Sequence, residues 1–249
     1  MVKTVLITGA SSGIGRALAF EFAGRGYHLG LASRRLEALE ALAAQIQAKH
    51  PSIKVECSAL NVNDTSHVRQ VIRHLHEALG SLSIVIANAG IAANGKIGSG
   101  KLASDLAIMQ TNVLGAMATI DAAVEIFKEQ DAGHIVGISS VAAFRGLPGS
   151  AAYSASKAAI ATYLDALTTE LHNSPINVTT LFPGFIDTPL NNMISNRPFL
   201  IDVETGGKIM ADLIEKKVVS STVPVYPWNL VGKLLKNLPR ALLARQSPL

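Results

Sequence analysis

The segment Thr8-Gly9-Ala10-Ser11-Ser12-Gly13-Ile14-Gly15 decides the fold, because it joins an apolar run to a stretch of helical composition. Its glycines permit a tight turn, a close approach of backbone N–H groups to a pyrophosphate, and close packing of helix on strand. The N-terminus of the helix presents N–H donors and a partial positive charge to phosphates. A glycine-rich turn also fits a plain strand-to-helix connection. Its place after a strand and before a helix favours dinucleotide binding.

Outward from this turn, apolar runs that predict strands alternate with segments that predict helices. The predicted strands are Val2–Thr8, Tyr27–Ser33, Ile53–Leu60, Leu82–Ala87, His134–Ser139, Ile176–Leu181 and a short seventh over Thr222–Tyr226. The predicted helices are Arg16–Gly24, Leu36–Lys49, one capped by Asp64 and ending at Leu79, Leu102–Lys128, Ala152–Leu171 and Val203–Lys217. This order predicts an α/β Rossmann fold, a doubly wound, mainly parallel seven-stranded sheet with helices on both faces. We expect residues 1–249 to form one domain.

The composition limits the classes of protein. The chain has 249 residues, of which 49% are hydrophobic, and this excludes intrinsic disorder. Its one cysteine, Cys57, excludes a disulfide framework and a zinc ribbon. The apolar runs stay short of the ~18 residues of a transmembrane helix, and the N-terminal run is too short for a signal peptide. We therefore expect a cytoplasmic protein. We expect no metal site, since His74 and His76 face different directions on a helix.

The end of the second strand bears on the choice of cofactor. Enzymes that prefer NAD usually place an acid there to bond the ribose 2′-hydroxyl. This chain has Ala32-Ser33-Arg34-Arg35 and no acid before Glu37. Because arginine suits a bidentate contact with a 2′-phosphate, we expect NADP(H) to be preferred over NAD(H). Ser33 and Arg34 are expected to bind this 2′-phosphate. The alternative is that these residues only begin a helix that Ser33 caps.

Tyr153 and Lys157 are four residues apart on a predicted helix, so they share a face. A free tyrosine has a pKa near 10, and a nearby ammonium lowers that pKa by stabilising the phenolate. Ser139 and Ser140 close the fifth strand at the carboxyl edge of the sheet, where ligands of open α/β sheets bind. Together these residues predict proton-transfer chemistry at that edge.

With these motifs, the chain resembles the short-chain dehydrogenase/reductase family of the classical type over about residues 1–190. The matching residues are the glycine turn, Asn88-Ala89-Gly90, Asn112, Ser140, Tyr153, Lys157, Pro183-Gly184 and Thr188. The resemblance implies an NAD(P)-dependent oxidoreductase that interconverts a carbonyl and a secondary alcohol. It implies that Tyr153 is the general acid and base, that Lys157 lowers its pKa and holds the nicotinamide ribose, and that Ser140 binds the carbonyl oxygen. It implies that Asn112 breaks the long helix and holds a water in a proton relay.

The resemblance also implies the cofactor-binding residues. These are Gly9, Ser11, Ser12, Gly13, Ile14, Gly15, Ser33, Arg34, Asn61, Val62, Asn88, Ala89, Gly90, Tyr153, Lys157, Pro183, Gly184, Ile186 and Thr188. Among them, Ile186 and Thr188 are expected to meet the nicotinamide amide, and Asn88 the adenosine ribose. The family often has an aspartate bonding the adenine where this chain has Asn61. We expect Asn61 to substitute for it, and the Val62 backbone to contact the adenine as well.

Substrate contacts are expected from two places. Residues 191–215 form a lid region in the resemblance, and Asn191–Leu200 mixes polar with adaptable apolar side chains. Val141, Ala142, Ala143, Phe144 and Leu147 suggest an apolar pocket near Ser140, which favours a hydrophobic ketone or secondary alcohol. Asp187 has no matching role in the family and is expected to be structural.

The C-terminal tail, residues 226–249, is basic and amphipathic. The last acidic residue is Glu215, and only basic side chains carry charge after it. Leucines recur every four residues from Leu230 to Leu242, and Pro239 predicts a kink or two short helices. One reading is a helix packed on the domain or on a second subunit. The other is a helix resting on an anionic membrane, with Tyr226 and Trp228 at the interface.

The leading functional hypothesis is an NADP(H)-dependent oxidoreductase acting on a small hydrophobic molecule. The resemblance implies a homodimer or homotetramer built on the helices Leu102–Lys128 and Ala152–Leu171. No nucleic-acid binding is expected, because a basic stripe that reads nucleic acid would run across the fold. The alternative is a cofactor-binding regulatory or membrane-associated scaffold protein without redox turnover. A third option is another reaction on the same site, such as epimerisation.

Overall fold

The computed structural model describes residues 3–192 and 194–245, and for residues 244 and 245 it describes the backbone alone. Three predictions therefore lie outside the described residues: the start of the first strand at Val2, the contribution of Met193 to the lid, and the end of the tail, residues 246–249.

Seven strands form one sheet in the order β3-β2-β1-β4-β5-β6-β7. They are β1 (Thr4–Thr8), β2 (His28–Ser33), β3 (Val55–Ala59), β4 (Ile84–Ala87), β5 (Gly133–Ile138), β6 (Ile176–Pro183) and β7 (Ser220–Val223). Every neighbouring pair is parallel. The predicted Rossmann fold is confirmed, and the sheet is parallel throughout rather than mainly so.

The helices connect the strands and cover both faces of the sheet. They are α1 (Gly13–Gly24), α2 (Leu36–Lys49), α3 (Thr65–Leu79), α4 (Leu102–Met109), α5 (Ala116–Gln130), α6 (Ala151–Glu170), α7 (Val203–Glu215), α8 (Trp228–Asn237) and α9 (Arg240–Arg245). Local chemistry sets their ends. The Asp64 carboxylate accepts a hydrogen bond from the His67 N–H at the start of α3, and Gly80 ends α3 in the left-handed conformation. The kink predicted at Pro239 separates α8 from α9.

Two apolar layers enclose the sheet. One contains the buried side chains of α3, α5 and α6, and the other those of α1, α2 and α7. Small residues allow α1 and α7 to approach closely, because a side chain at Gly207 would lie 3.0 Å from the Ala17 Cβ. The single predicted domain therefore has a core on each face of one sheet.

The predicted long helix is continuous but not regular. A π-helical turn, Gln110–Gly115, joins α4 to α5, so the resemblance correctly implied an interruption near Asn112. By length and composition, the combined helix Leu102–Gln130 is long and apolar enough to cross a membrane, although each of its uninterrupted apolar runs is short. Half of its apolar window is buried inside the fold, as is typical of a core helix.

Candidate active site

The glycine turn between β1 and α1 leaves room where side chains would otherwise stand. A side chain at Gly9, whose φ is +68°, would lie 2.8 Å from the Ala89 Cα. One at Gly15 would lie 2.5 Å from the Gly9 carbonyl oxygen. The Gly9 N–H donates to the Ala32 carbonyl at 2.8 Å, which ties the turn to the end of β2. This is the close-packed turn that a dinucleotide pyrophosphate requires.

The start of α1 suits an anion. Ser12 is the N-cap, but its side chain makes no hydrogen bond to the helix, and the first turn contains no acidic residue. The first N–H groups and the positive end of the helix dipole therefore face the turn. Arg35 extends over the same place, since its Nη2 donates to the Ser11 Oγ at 3.0 Å and to the Ser12 Oγ at 3.1 Å. These residues fit the phosphates of a dinucleotide cofactor.

The loop after β2 differs in detail from the expectation. Arg35 contacts the glycine turn, whereas the sequence reasoning named Arg34 and left Arg35 unassigned. Arg34 and Arg35 are adjacent and both exposed, so the sequence pattern does not show which of them contacts the glycine turn. Ser33 is buried, and its Oγ accepts a hydrogen bond from the Arg35 N–H at 3.2 Å. The alternative that Ser33 caps α2 is wrong, because the N-cap of α2 is Arg35. Ser33 instead shapes the loop that carries both arginines.

Asn88 holds the glycine turn from the neighbouring strand. Its Nδ2 donates to the Thr8 carbonyl at 2.9 Å and to the Gly9 carbonyl at 3.3 Å. The backbone N–H groups of Asn88 and Ala89 both donate to the Thr8 Oγ1, at 3.2 and 3.3 Å. The end of β4 and the glycine turn are thus one hydrogen-bonded unit. The Asn88 amide positions the turn, and this role was not anticipated from the sequence.

Asn112, in the π-helical turn, joins the loop after β4 to helix α6. Its Oδ1 accepts from the Ile91 N–H at 2.8 Å, and its Nδ2 donates to the Ile91 carbonyl at 2.9 Å and to the Ser156 Oγ at 3.0 Å. Gly90 lies beside it, since a side chain there would be 3.3 Å from the Asn112 Oδ1 and 3.5 Å from the Lys157 Nζ. Asn112, Gly90 and Lys157 are therefore neighbours.

Ser140, Tyr153 and Lys157 converge at the carboxyl ends of β5 and β6. The Ser140 side chain is near enough to the Tyr153 phenol to lower its pKa, and the Ser140 Oγ donates to the Pro183 carbonyl at 3.4 Å. The Lys157 Nζ donates to the Ile138 carbonyl at 2.9 Å and lies 5.8 Å from the centre of the Tyr153 ring. The Ser139 Oγ donates to the Lys157 carbonyl at 2.8 Å, which fixes α6 against β5.

Burial dominates the electrostatics of this pair. Burial raises the pKa of the Tyr153 phenol, and the Ser140 side chain opposes that rise. Burial lowers the pKa of the Lys157 ammonium to about 8. The sequence predicts that the Lys157 ammonium lowers the Tyr153 pKa. In the structure, desolvation of both side chains has the larger effect on their pKa values. Perturbed groups of this kind, at the edge of a parallel sheet, are typical of a catalytic site.

The segment after β6 connects the cofactor turn to residues 191–215. Thr188 packs on the glycine turn, with its Cγ2 3.4 Å from where a Gly13 side chain would begin. Ile186 forms a bridge with Ile201, and the Asn191 Nδ2 donates to the Ile186 carbonyl at 2.8 Å. Asp187 pairs with Arg197 at 2.6 Å, which agrees with the structural role expected for it.

Trp228 is buried beside Gly184, next to the end of β6. Trp228 is only 3% exposed, so its expected place at a membrane interface is wrong. The indole edge occupies the space that a Gly184 side chain would fill, and Phe199 packs edge-on against it, with ring centres 5.8 Å apart. Its Nε1 has no hydrogen-bond partner among the described residues. The closeness of Gly184 to Trp228 comes from tertiary packing, which no local pattern reveals.

The end of β3 contributes two further residues. Asn61 is exposed, and its Oδ1 accepts from the Asn63 N–H at 3.2 Å. Val62 is buried and packs on Gly115, where a side chain would lie 2.7 Å from its Cγ2. Both lie at the carboxyl edge, next to the end of β2. Within the residues that the structure describes, no three His, Cys, Asp or Glu side chains are grouped so that they could hold a metal ion.

Known proteins resemble this chain in sequence and in fold. The family model for short chain dehydrogenase matches residues 3–198. An uncharacterized oxidoreductase of Mycobacterium tuberculosis is 38% identical over 244 residues, which cover 98% of this chain and 96% of that protein. An NADP-dependent 3-hydroxy acid dehydrogenase of Schizosaccharomyces pombe is 34% identical over 188 residues, which cover 75% of this chain and 72% of that protein.

A solved structure supports the fold. A short chain dehydrogenase/reductase from Burkholderia phymatum, crystallised with NAD, superposes with a TM-score of 0.86. The superposition covers 100% of this chain and 96% of the Burkholderia chain. Because the two sequences are 22% identical, the likeness shows the fold alone. The family match, by contrast, spans the glycine turn, the loop after β4 and the Tyr153–Lys157 pair. The chain therefore belongs to the short-chain dehydrogenase/reductase family, and it is an NAD(P)-dependent oxidoreductase.

Proposed function

We propose that this protein reduces a hydrophobic ketone to a secondary alcohol with NADPH, or catalyses the reverse oxidation, with Tyr153 as general acid and base. One observation carries the proposal: Ser140, Tyr153 and Lys157 converge beside a turn built for a dinucleotide phosphate. A regulatory scaffold without turnover is not favoured, because all four residues of the implied tetrad are present and three of them converge. Epimerisation on the same site has no observation in its favour.

Each catalytic side chain has a defined role in this proposal. In reduction, the Tyr153 phenol gives its proton to the substrate oxygen while the Ser140 hydroxyl donates a hydrogen bond to the same oxygen. In oxidation, the Tyr153 oxygen accepts the proton of the alcohol. A bound nicotinamide cofactor supplies or accepts the hydride.

Lys157 acts on Tyr153 through its charge. With a pKa of about 8, the ammonium is mostly protonated at neutral pH. One of its three N–H donors is used by the Ile138 carbonyl, which leaves donors for the hydroxyls of the nicotinamide ribose. A cation in this place favours the phenolate and so opposes the rise in the Tyr153 pKa that burial causes.

Asn112 positions the catalytic helix in this proposal. Its side-chain amide is used by Ile91 and Ser156, so a water in a relay to Lys157 would bind its backbone carbonyl rather than its side chain. The π-helical turn favours this assignment, because wider turns disturb the regular hydrogen bonding of the helix.

The residues proposed to hold the cofactor are the whole set implied by the resemblance, with Arg35 added. The glycine turn and the start of α1 hold the pyrophosphate, and Asn61 and Val62 hold the adenine. Lys157, Ile186 and Thr188 hold the nicotinamide riboside. NADP(H) is preferred because two arginines and no acid follow β2. The Schizosaccharomyces relative, described as NADP-dependent, is consistent with this preference.

The cofactor preference is tested by binding. We expect NADPH to bind at least about tenfold more tightly than NADH, since charge-assisted hydrogen bonds contribute about 1.5–3 kcal/mol each. Arg34→Ala should weaken NADPH and leave NADH nearly unchanged. Arg35→Ala should weaken NADPH more than NADH, because Arg35 also lies over the turn that holds the pyrophosphate of both cofactors. Arg69→Ala, which removes an exposed arginine on α3, is the control. Tighter binding of NADH by the unmodified protein would refute the preference.

The assignment of Tyr153 is tested with a matched pair of variants. Tyr153→Phe should remove turnover and retain NADPH binding, because only the hydroxyl is lost. Tyr163→Phe changes another tyrosine of α6 and should leave turnover close to the unmodified value. Equal activity in Tyr153→Phe and the unmodified protein would show that the phenol is not the proton donor.

The hydrophobic substrate is inferred from the apolar residues around the catalytic serine. Val141 and Ala142 follow Ser140, and Trp228 and Phe199 pack together beside Gly184, the residue after Pro183, whose carbonyl lies 3.4 Å from the Ser140 Oγ. We also propose that residues 191–215 close over the substrate.

A cytoplasmic location of the protein remains a prediction.

A homodimer or homotetramer is proposed on the outer surface of α4, α5 and α6. Leu106 and Leu114 are exposed there, and a cleft of about 370 Å³ lies between Leu114, Met117 and Tyr163. Burying such side chains in a subunit contact is favourable. Sedimentation at several concentrations tests this proposal, and a monomer throughout would contradict it.

A further inference from the structure

The C-terminal helices expose an apolar surface. Leu230 and Leu234 are one turn apart on α8 and are 56% and 63% exposed. We call these two side chains the leucine face of α8. Tyr226, which precedes α8, is 73% exposed, and Leu242 on α9 is 45% exposed. Clustered exposed apolar side chains mark surfaces that bind a partner or a membrane.

The packing of α8 on the domain does not use this face. Trp228 and Gly232 are buried, with Trp228 against Gly184 and Gly232 against the Phe144 ring. At 3.6 residues per turn, these two side chains lie on the side of α8 opposite Leu230 and Leu234. The expectation that a leucine stripe packs on the domain is therefore wrong for α8. The leucine face is therefore a second apolar face of α8, and it is not packed on the domain.

The surroundings of the leucine face are basic. Lys233 lies between its two leucines in sequence, and Lys233 and Arg240, at the start of α9, are both exposed. Neither forms an ion pair within the described residues. Lys236 lies on the domain side of α8 instead, with its Nζ 5.4 Å from the centre of the Phe144 ring. No acidic residue follows Glu215 to offset these charges.

The exposed leucines and the basic side chains beside them together fit one kind of binding partner. A second copy of the chain, related by a two-fold axis, would place the same lysines against one another. Single-stranded nucleic acid needs aromatic side chains for stacking, and the exposed positions on α8 carry leucines. An anionic lipid surface accepts both features at once. Leucines enter the boundary between headgroups and acyl chains, and lysine side chains reach the phosphates.

We propose that the leucine face of α8 docks this protein on the surface of an anionic membrane, with Lys233 and Arg240 at the level of the lipid phosphates. The proposal concerns peripheral binding, and no segment crosses the bilayer in it. It does not depend on the proposed reaction, because docking requires neither substrate nor turnover.

The test is flotation of the full-length protein with vesicles. One set contains phosphatidylcholine alone, and the other contains phosphatidylcholine mixed with phosphatidylglycerol. We expect the protein to float with the mixed vesicles only. Replacing both leucines, Leu230→Ser with Leu234→Ser, should lower the partition by about tenfold or more for each leucine. The control is Leu36→Ser with Ile97→Ser, which changes two exposed apolar side chains outside α8 and outside the proposed subunit contact and should float like the unmodified protein.

A charge pair tests the second half of the proposal. Lys233→Gln with Arg240→Gln should lower the partition about fivefold for each positive charge removed. Lys128→Gln with Lys208→Gln, which changes two exposed lysines on other helices, should have no such effect. All these positions are exposed, so we expect unchanged thermal unfolding. The proposal is overturned if the unmodified protein stays unbound with mixed vesicles, or if the Leu230/Leu234 variant floats as well as the unmodified protein. It is also overturned if that variant changes the sedimenting mass and not flotation, because the face then joins subunits.

Discussion

Replacing Lys157 by methionine should make the cofactor-free protein more stable while removing its activity. The ammonium is buried, and burial lowers its pKa from the usual 10.5 to about 8 with no carboxylate to compensate. At about 1.4 kcal/mol for each pH unit, holding this cation in the fold at neutral pH costs about 3 kcal/mol. Methionine fills a similar volume without the charge.

The expected net gain is smaller than that cost. The Lys157 Nζ donates to the Ile138 carbonyl, and the variant leaves this buried acceptor without a partner at a cost of about 1 kcal/mol. We therefore expect the free energy of unfolding of Lys157→Met to exceed that of the unmodified protein by about 2 kcal/mol at neutral pH. A gain of this size would mean that the site keeps a destabilising cation for its chemistry.

The stability difference between the unmodified protein and Lys157→Met should depend on pH in a defined direction. Between about pH 8 and pH 10.5 the unfolded chain binds the Lys157 proton and the folded protein does not. The stability of the unmodified protein therefore rises with pH in this window relative to the variant, and the difference between the two disappears near its upper end.

Urea unfolding followed by circular dichroism, at neutral pH and near pH 10, measures both effects. Lys208→Met, on the exposed side of α7, is the control and should change stability little at either pH. A Lys157→Met variant that is less stable than the unmodified protein, or a gain that does not depend on pH, would refute the reasoning.

Three further predictions follow from buried contacts. Burial lowers the pKa of His134 to about 4, so stability should fall by up to about 3 kcal/mol as the pH drops from 6.5 to 4, and acid unfolding of His134→Gln should show much less of this loss. Gly184→Ala should displace the single tryptophan, Trp228, shift its fluorescence emission and lower stability by about 1–3 kcal/mol, and unchanged emission would contradict the packing. Asn112→Ala removes three hydrogen bonds and should lower the free energy of unfolding by about 2–4 kcal/mol, measured in urea; a loss below about 0.5 kcal/mol would contradict its positioning role.

The sequence predicts the fold well because local signals determine it. The glycine turn, the apolar β-branched runs and caps such as Asp64 and Gly80 each act within a few residues. Alternation of strands and helices then leaves little choice of topology, since crossovers between parallel strands are right-handed. Helical spacing indicated Tyr153 and Lys157, the end of the fifth strand indicated Ser140, and the family resemblance implied Asn112; Ser140, Tyr153 and Lys157 do converge.

What the sequence did not reveal depends on contacts between distant segments. Arg35 rather than Arg34 reaches the glycine turn because of the path of one exposed loop. Trp228 is buried because Gly184, forty-four positions earlier, has no side chain. The rise in the Tyr153 pKa follows from burial, which requires the whole fold. The apolar pattern of the tail could not show which of two faces of α8 packs on the domain.

The most direct test of the central claim is transfer of deuterium from labelled NADPH to a carbonyl substrate. A panel of ketones, quinones, steroids and 3-oxoacyl thioesters is incubated with the protein and NADPH carrying deuterium at the transferable position, and the alcohols are analysed by mass spectrometry. Our account predicts an alcohol with one deuterium on the reduced carbon, formed by the unmodified protein and by Tyr163→Phe but not by Tyr153→Phe. An alcohol without deuterium, or equal labelling by Tyr153→Phe, would contradict it.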